Sequence, residues 1–376
     1  MSYNWNGMAK NLNALINKGQ DLGAQLCVYH EGKLVLDLAV GKMAEDNETP
    51  VTHDTLFPVF SVTKGFVAGA AHILAEKGLY DYDTKICEVW PEFAANGKEN
   101  ATIRHALSHL TGVSRMPKGI LPEDILSWDK MCSLIAEMPP KNPPGEYYDY
   151  HAITFGWVVG EIMRRIDGRN IETIVKEEIC DPLGIKDFFI GLPEKEANRV
   201  ATLYEPHANI TTADENVSDF MRPFTNWMNS RIGQQAVMPG ACGITNARSI
   251  ARYYASLLPG GVDGIELLPQ SRIKTATSFY SIGEDASGGM TLGFGVHRLH
   301  QNKKAAAPPL LLSEGSGNCN CNFLQPEKTR LPNFGHNGYG GAYGMAYPEH
   351  NIAIGFTKNL FTAVDSCGEL LNSLLG

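Results

Sequence analysis

β-prone residues gather at the two ends of this 376-residue chain, and helix-prone residues fill the middle. Near the start, "AQLCVYHEGKLVLDLAVG" (24–41) sets two β-rich runs around the polar pair Glu31-Gly32, the pattern of a hairpin. Near the end, "GGMTLGFGVHRLH", "NFGHNGYGGAYGMAYPEH" and "NIAIGFTKN" are short, glycine-rich, β-prone runs. From about 81 to 234 the pattern is mainly helical segments broken by loops. The economical arrangement is an α+β fold with one antiparallel sheet built from N- and C-terminal strands. Terminal helices pack on that sheet, and a mostly helical region is inserted into it. The expected boundaries are 1–80 with 235–376 for a discontinuous sheet domain, and 81–234 for the helical one. A site is expected in the cleft between them.

Several helices can be placed. "SVTKGFVAGAAHILAEKG" carries small and apolar residues at helical spacing, and Gly78 after Lys77 is a stop signal. "NATIRHALSHLTG", "TFGWVVGEIMRRIDG" and "NIETIVKEEICDPLG" read as helices closed by glycine, and 241–261 reads as an amphipathic helix. "AVDSCGELLNSLLG" closes the chain as a helix, and 301–330 reads as an exposed excursion between strands.

Composition removes several function classes. Apolar residues make up 43% and charged residues 19%, so the chain can bury a core. The net charge of −9, without any Lys/Arg run, argues against nucleic acid as a partner. The polar N-terminus lacks the pattern of a signal peptide, and no stretch of about 18 apolar residues marks a membrane span. A soluble cytoplasmic protein is expected. Eight cysteines are scattered, mostly in apolar contexts, and read as free thiols. "NCNC" at 318–321 reads as a loop, because a zinc site needs wider spacing and further ligands.

Chemistry concentrates in "FPVFSVTKGFVAGA" (57–70). Ser-x-x-Lys occurs three times, at Ser61/Lys64, Ser127/Lys130 and Ser271/Lys274. In the last two the neighbours are polar and the lysine reaches water. Lys64 instead sits among Val59, Phe60, Val62, Phe66 and Val67. Residues three apart on a helix are neighbours, and the helix N-terminus favours negative charge on the serine oxygen. An apolar surrounding disfavours the ammonium form and lowers the lysine pKa. At an unperturbed pKa of about 10.4 only about one lysine in 2,500 is neutral at pH 7. Burial is what would make Lys64 a proton acceptor for Ser61.

With "TIRHALSHLTGV" (102–113) and "PPGEYYDYHAITFGWVVGEIMRRIDG" (143–168), this stretch resembles the serine β-lactamase/penicillin-binding-protein superfamily. The nearest branches are class C β-lactamases and family VIII carboxylesterases. "MPGACGITNARSIARYYASLL" and "FGHNGYGGAYGMAYPEHNIAIGF" extend the resemblance over about 20–360. It implies a β-lactamase-like fold without cofactor or metal, and a small-molecule ester as the partner. It implies Ser61 as nucleophile, Lys64 as its base partner and Tyr150 as second proton carrier. His336, Asn337 and Gly338 fall at the Lys-Thr-Gly position on an edge strand. The main-chain N–H groups of Ser61 and Tyr339 fall where an oxyanion hole forms.

Two departures shape the expected chemistry. Ala152 replaces the asparagine of Tyr-x-Asn, and His336 replaces the lysine of Lys-Thr-Gly. Both remove polar fixtures for a β-lactam or peptide and point to the esterase branch. His151 is expected to be structural or substrate-lining, and Glu146 and Asp149 to be solvated. His105 and His109, four apart, are expected to be scaffold rather than metal ligands, and Phe155 and Trp157 helix core. The expected activity is hydrolysis of small to medium acyl esters. An acyltransferase, a β-lactamase or D-amino-acid peptidase, and a non-catalytic assembly protein are the alternatives.

Overall fold

The computed structural model describes residues 3–206, 215–278, 289–297, 333–362 and 366–374. Helix α1 (Trp5–Asn17) starts at Asn4, whose side chain accepts the Gly7 N–H at 2.8 Å. Its buried residues Met8, Leu12 and Leu15 share one face. Strands β1 (Gly23–His30) and β2 (Lys33–Gly41) form the hairpin foreseen at 24–41. Glu31 and Gly32 both take positive φ, 51° and 71°, as a two-residue turn with the right twist requires.

The chain then lays down β3 (Phe57–Phe60), helix α2 (Val62–Glu76), β4 (Phe188–Ile190) and β5 (Gly243–Thr245). A short ribbon follows, β6 (Gly289–Met290) with β7 (Val296–His297), and then β8 (Phe334–Asn337), β9 (Tyr343–Tyr347) and β10 (Ile352–Lys358). The main sheet has the order β2-β1-β10-β9-β8 and is antiparallel throughout. Its centre pairs the first strand with the last, from Ala24 opposite Lys358 to His30 opposite Ile352. A second sheet, β3-β5-β4, carries the strand that leads to Ser61.

Alternation along the strands makes two cores. Leu26, Val28, Ile354 and Phe356 face α1 and the closing helix Ser366–Leu374. Cys27 and Ala353 face the opposite way, toward the helix Ala247–Ala255 and the large core around α2. Residues Val62 to Ala75 of α2 are all buried. A helix apolar on every side must be enclosed by the rest of the molecule, and α2 packs against the helix Thr154–Asp167 and β8. Edge placement of β8 puts His336 and Asn337 on the rim of the sheet.

Local differences from the sequence reading have local causes. The helix expected over "NATIRHALSHLTG" is only Ile103–Leu107, because His109 adopts a left-handed φ of 61°. The stretch 241–261 opens as strand β5 and turns helical only at Ala247, where Asn246 accepts the Ser249 N–H at 2.9 Å. The helix over "NIETIVKEEICDPLG" runs from Ile171 to Leu183 with a π-helical segment at Lys176–Cys180. The excursion 301–330, with Cys319 and Cys321, lies outside the described residues. The six described cysteines are free, and all but Cys87 are buried. No described helix is long and apolar enough to cross a membrane.

A buried ion pair ties the chain ends together. Lys358, from the last strand, meets Asp21, from the turn after α1, with both side chains at most 2% exposed. The same ammonium donates to Ser366 Oγ at 3.0 Å, at the start of the closing helix. Burial pushes the Asp21 carboxyl up, and Lys358 pulls it back. Removing one member of such a pair strands the other charge. Lys358→Met is therefore expected to lower unfolding stability by about 3–5 kcal/mol in urea titrations. Asp21→Asn combined with Lys358→Met should cost less than Lys358→Met alone, and equal or larger loss in the double variant would contradict this account.

Candidate active site

Strand β3 runs directly into α2 through Phe60 and Ser61. Phe60 is buried at a φ of 48°, a conformation that costs a bulky residue about 1–3 kcal/mol. Packing holds it there. Its ring meets Phe224, Tyr339 and Phe361 at centroid distances of 5.2, 5.6 and 5.6 Å. Thr63 Oγ1 donates to the Phe60 carbonyl and accepts the Gly243 N–H at 2.9 Å, which ties the bend to β5. Ser61 occupies the N-cap position of α2, yet its hydroxyl makes no capping bond to the helix.

That hydroxyl meets two other groups. Lys64 Nζ lies 3.2 Å from Ser61 Oγ, and Tyr150 Oη donates to the same oxygen at 2.9 Å. Lys64 is completely buried, with Nζ 4.8 Å from the centre of the Tyr150 ring and 5.7 Å from that of Phe155. Burial drives its pKa well below the ordinary lysine range. Two main-chain carbonyls complete its shell, Ala152 O at 2.7 Å and Gly240 O at 2.6 Å. A neutral amine has two N–H bonds and one lone pair. With both N–H bonds taken by carbonyls, the lone pair is left facing Ser61. The carbonyls converge because the helix Thr154–Asp167 approaches residues 239–241 at glycine: a Cβ on Gly156 would strike the Gly240 nitrogen, and one on Gly240 the Ile153 carbonyl.

Tyr150 is placed by an anchored loop. Ser114 Oγ donates to Asp149 Oδ2 at 2.8 Å, and Lys141 pairs with the same oxygen at 3.0 Å. Asp149 is therefore a tether rather than the solvated acid expected from sequence. Its N–H donates to the His109 carbonyl at 3.3 Å, and the His151 N–H donates to His109 Nδ1 at 3.1 Å. The His109 ring lies 4.7 Å from that of Tyr150. His151 is 1% exposed. Its Nδ1 donates to the Asp149 carbonyl at 2.6 Å, so Nε2 accepts from Thr111 Oγ1 at 2.7 Å. Both ring nitrogens serve the loop, which favours the structural alternative for His151 over substrate lining.

Burial pushes Tyr150 well above the ordinary tyrosine range, partly offset by its bond to Ser61, so it stands as a phenol at neutral pH. His336, at the edge of the main sheet, donates from Nδ1 to the Asn337 carbonyl at 2.7 Å. Burial is the main cause that pushes its pKa down to about 3. It is a neutral imidazole with its lone pair on Nε2. Gly338 follows, and a Cβ there would strike the Val59 carbonyl of β3. That close approach sets the turn Tyr339–Gly341 beside the strand that carries Ser61.

The other sequence candidates lie elsewhere. Lys130 and Lys274 are exposed, and Lys130 pairs with Asp124 at 2.6 Å. His105 accepts the Thr102 N–H at 3.3 Å at the start of its own helix, so it shares no helical face with His109. No group of three or more His, Cys, Asp or Glu among the described residues fits a metal ion. Phe155 and Trp157 are core, as expected. Sequence reasoning did not find the roles of His109, Asp149 and the two carbonyls on Lys64. A left-handed backbone has no reliable residue signature, and main-chain carbonyls have none at all.

Comparison with known proteins finds relatives across nearly the whole chain. The Beta-lactamase family model matches residues 9–371. A Mycobacterium tuberculosis protein named "Esterase/beta-lactamase LipL" is 29% identical over 363 residues, covering 90% of this chain and 77% of that one. A penicillin-binding-protein homologue from Caulobacter crescentus superposes with a TM-score of 0.81 at 30% identity, over 98% of this chain and 97% of its own. A family VIII carboxylesterase superposes with a TM-score of 0.80 at 25% identity, over 99% and 96%.

The buried histidines link this site to pH. His151 is pushed down to about 4 and His336 to about 3, in each case mainly by burial, against about 6.5 in an unfolded chain. On acidification the unfolded chain takes these protons first. Their contribution to stability is thus complete above about pH 6.5 and is lost as pH falls toward 4. The urea midpoint should drop over that window. His151→Gln should reduce the slope there by about one proton; an unchanged slope would show that His151 is not held neutral.

Proposed function

The chain belongs to the Beta-lactamase family of serine hydrolases, and from that premise we propose that it cleaves small to medium acyl esters through an acyl-enzyme on Ser61. The observation that carries the reading is a serine oxygen shared by a sealed lysine nitrogen at 3.2 Å and a phenol at 2.9 Å. Neutral Lys64 takes the Ser61 proton as Oγ attacks the ester carbonyl. The Ser61 and Tyr339 main-chain N–H groups receive the developing oxyanion, each such donor being worth about 10²–10³ in rate. When the intermediate collapses, the bond to the alcohol oxygen breaks and Tyr150 protonates the leaving alkoxide. Tyr150 recovers its proton from Lys64. In deacylation the same pair takes a proton from water as it attacks the acyl carbonyl; the bond from the acyl carbon to Ser61 Oγ then breaks, the pair returns that proton to Oγ, and the acid leaves. Lys64 and Tyr150 titrate as a coupled pair. The phenolic state of Tyr150 supports Lys64 as the resting base.

An uncharged ester fits this site better than a β-lactam or a peptide. The Ala152 position offers only its carbonyl, and Lys64 occupies that. At the Lys-Thr-Gly position His336 is neutral and presents a lone pair, so a substrate carboxylate would meet no cation there. Acyl transfer to an added alcohol uses the same intermediate, and product analysis separates it from hydrolysis.

Intact-mass analysis with p-nitrophenyl esters tests the reading. Wild type should gain one acyl group with a burst of p-nitrophenol, and Ser61→Ala should gain none. Lys64→Ala and Tyr150→Phe should each lose at least about 10²-fold in kcat/KM; near-normal turnover in either would remove its role. His336→Lys should raise the relative rate on carboxylate-bearing substrates such as nitrocefin against neutral esters. An unmoved ratio would separate His336 from substrate selection.

A further inference from the structure

We propose that Glu205 is a positioning residue: it fixes the turn whose Tyr339 N–H completes the oxyanion hole by holding the Tyr339 side chain at its tip. The inference rests on the acyl-enzyme reading of Ser61. Residues 338–341 are Gly338, Tyr339, Gly340 and Gly341. Gly340 and Gly341 take φ of 79° and 102°. Three glycines leave the backbone loose, and Tyr339 is the only residue of the four that can be gripped beyond Cα. Its ring lies edge-on to Phe60 and to Phe361, at 5.6 and 5.7 Å. Its hydroxyl donates to Glu205 Oε1.

Glu205 is itself well fixed. The preceding Tyr204 donates its N–H to the Asn359 carbonyl at 2.8 Å and accepts the Phe361 N–H at 2.8 Å, so this segment is strapped to the end of β10. Glu205 Oε2 accepts from Thr225 Oγ1 at 3.3 Å. Thr225 belongs to the helix Phe224–Asn229, whose first residue packs on Phe60. No cation among the described residues pairs with the carboxyl, and burial raises its pKa. The group is thus held by two hydroxyl donors rather than by charge. Both proposed oxyanion donors are framed by one aromatic cluster: Ser61 through Phe60 before it, and Tyr339 through its own ring. Glu205 closes the frame on the Tyr339 side.

Turnover of a p-nitrophenyl ester by Tyr339→Phe, Glu205→Leu, Glu205→Gln and the double variant Tyr339→Phe/Glu205→Leu tests this, each normalised to the fraction labelled by a fluorophosphonate. Tyr339→Phe keeps the ring packing and removes only the hydroxyl. It and Glu205→Leu should each lower kcat about 10- to 100-fold, part of the value of one oxyanion donor, with KM within about threefold. The double variant should be no worse than the poorer single one, and Glu205→Gln, which still accepts from the phenol, should recover most of the rate. A kcat within twofold of wild type in Tyr339→Phe, or multiplicative losses in the double variant, would overturn the inference. Wild type that takes no label at Ser61 would overturn the acyl-enzyme reading beneath it. Label at Ser61 with unaffected variants would overturn this inference alone.

Discussion

A lysine nitrogen with no path to water organises this protein. Lys64 has the Ala152 carbonyl on one side, the Gly240 carbonyl on another and Ser61 Oγ on the third. Each neighbour comes from a different part of the chain, so the shell exists only when three segments meet. An ammonium there would be dearly desolvated, and the two carbonyls offset that only in part. Burial therefore favours the neutral amine, the form that can accept a proton from a neighbouring hydroxyl.

The rest of the fold can be understood as the means of closing that shell. Pairing of β1 with β10 brings residues more than three hundred apart into register, and β9 and β8 then follow by short connections. The sheet edge carries His336 and the glycine turn, with the His336 ring centroid 6.3 Å from that of Tyr150. The tethered loop through Asp149 and His151 delivers Tyr150 to Ser61. Close backbone approach at Gly156, Gly240 and Gly338 sets how near these pieces come. Strain at Phe60 is the local cost of turning the serine out of its strand, and the aromatic cluster around that residue sustains it.

Much of this was legible in residue pattern. The hairpin at 24–41 and the buried run after Ser61 are strong periodic signals and became the expected elements; of the β-rich C-terminal stretches, the last two joined the main sheet, while the first, as far as it is described, forms the separate ribbon β6-β7. Short elements were less legible. Strand β5 was hidden in front of a helix, because "GIT" carries too few residues to show a period. The helix at Ile103 stopped early because His109 turns left-handed, which side-chain chemistry does not announce. Asp149 looked like a surface acid near a Pro-Gly turn; its partners Ser114 and Lys141 are 35 and 8 residues away.

By itself the sequence determined which groups are present for chemistry: a serine and a lysine one helical turn apart in apolar company, a tyrosine two residues before an alanine, and a histidine at the position where the resemblance leads one to expect a lysine. Local spacing and side-chain type suffice for that, since both are properties of neighbouring residues. Tertiary structure alone decided the state of those groups. It sealed the lysine from solvent, fixed the His336 tautomer through the next carbonyl, and aimed the phenol at the serine oxygen. Protonation and direction depend on burial and on partners distant in the chain, and those are created only when the segments pack.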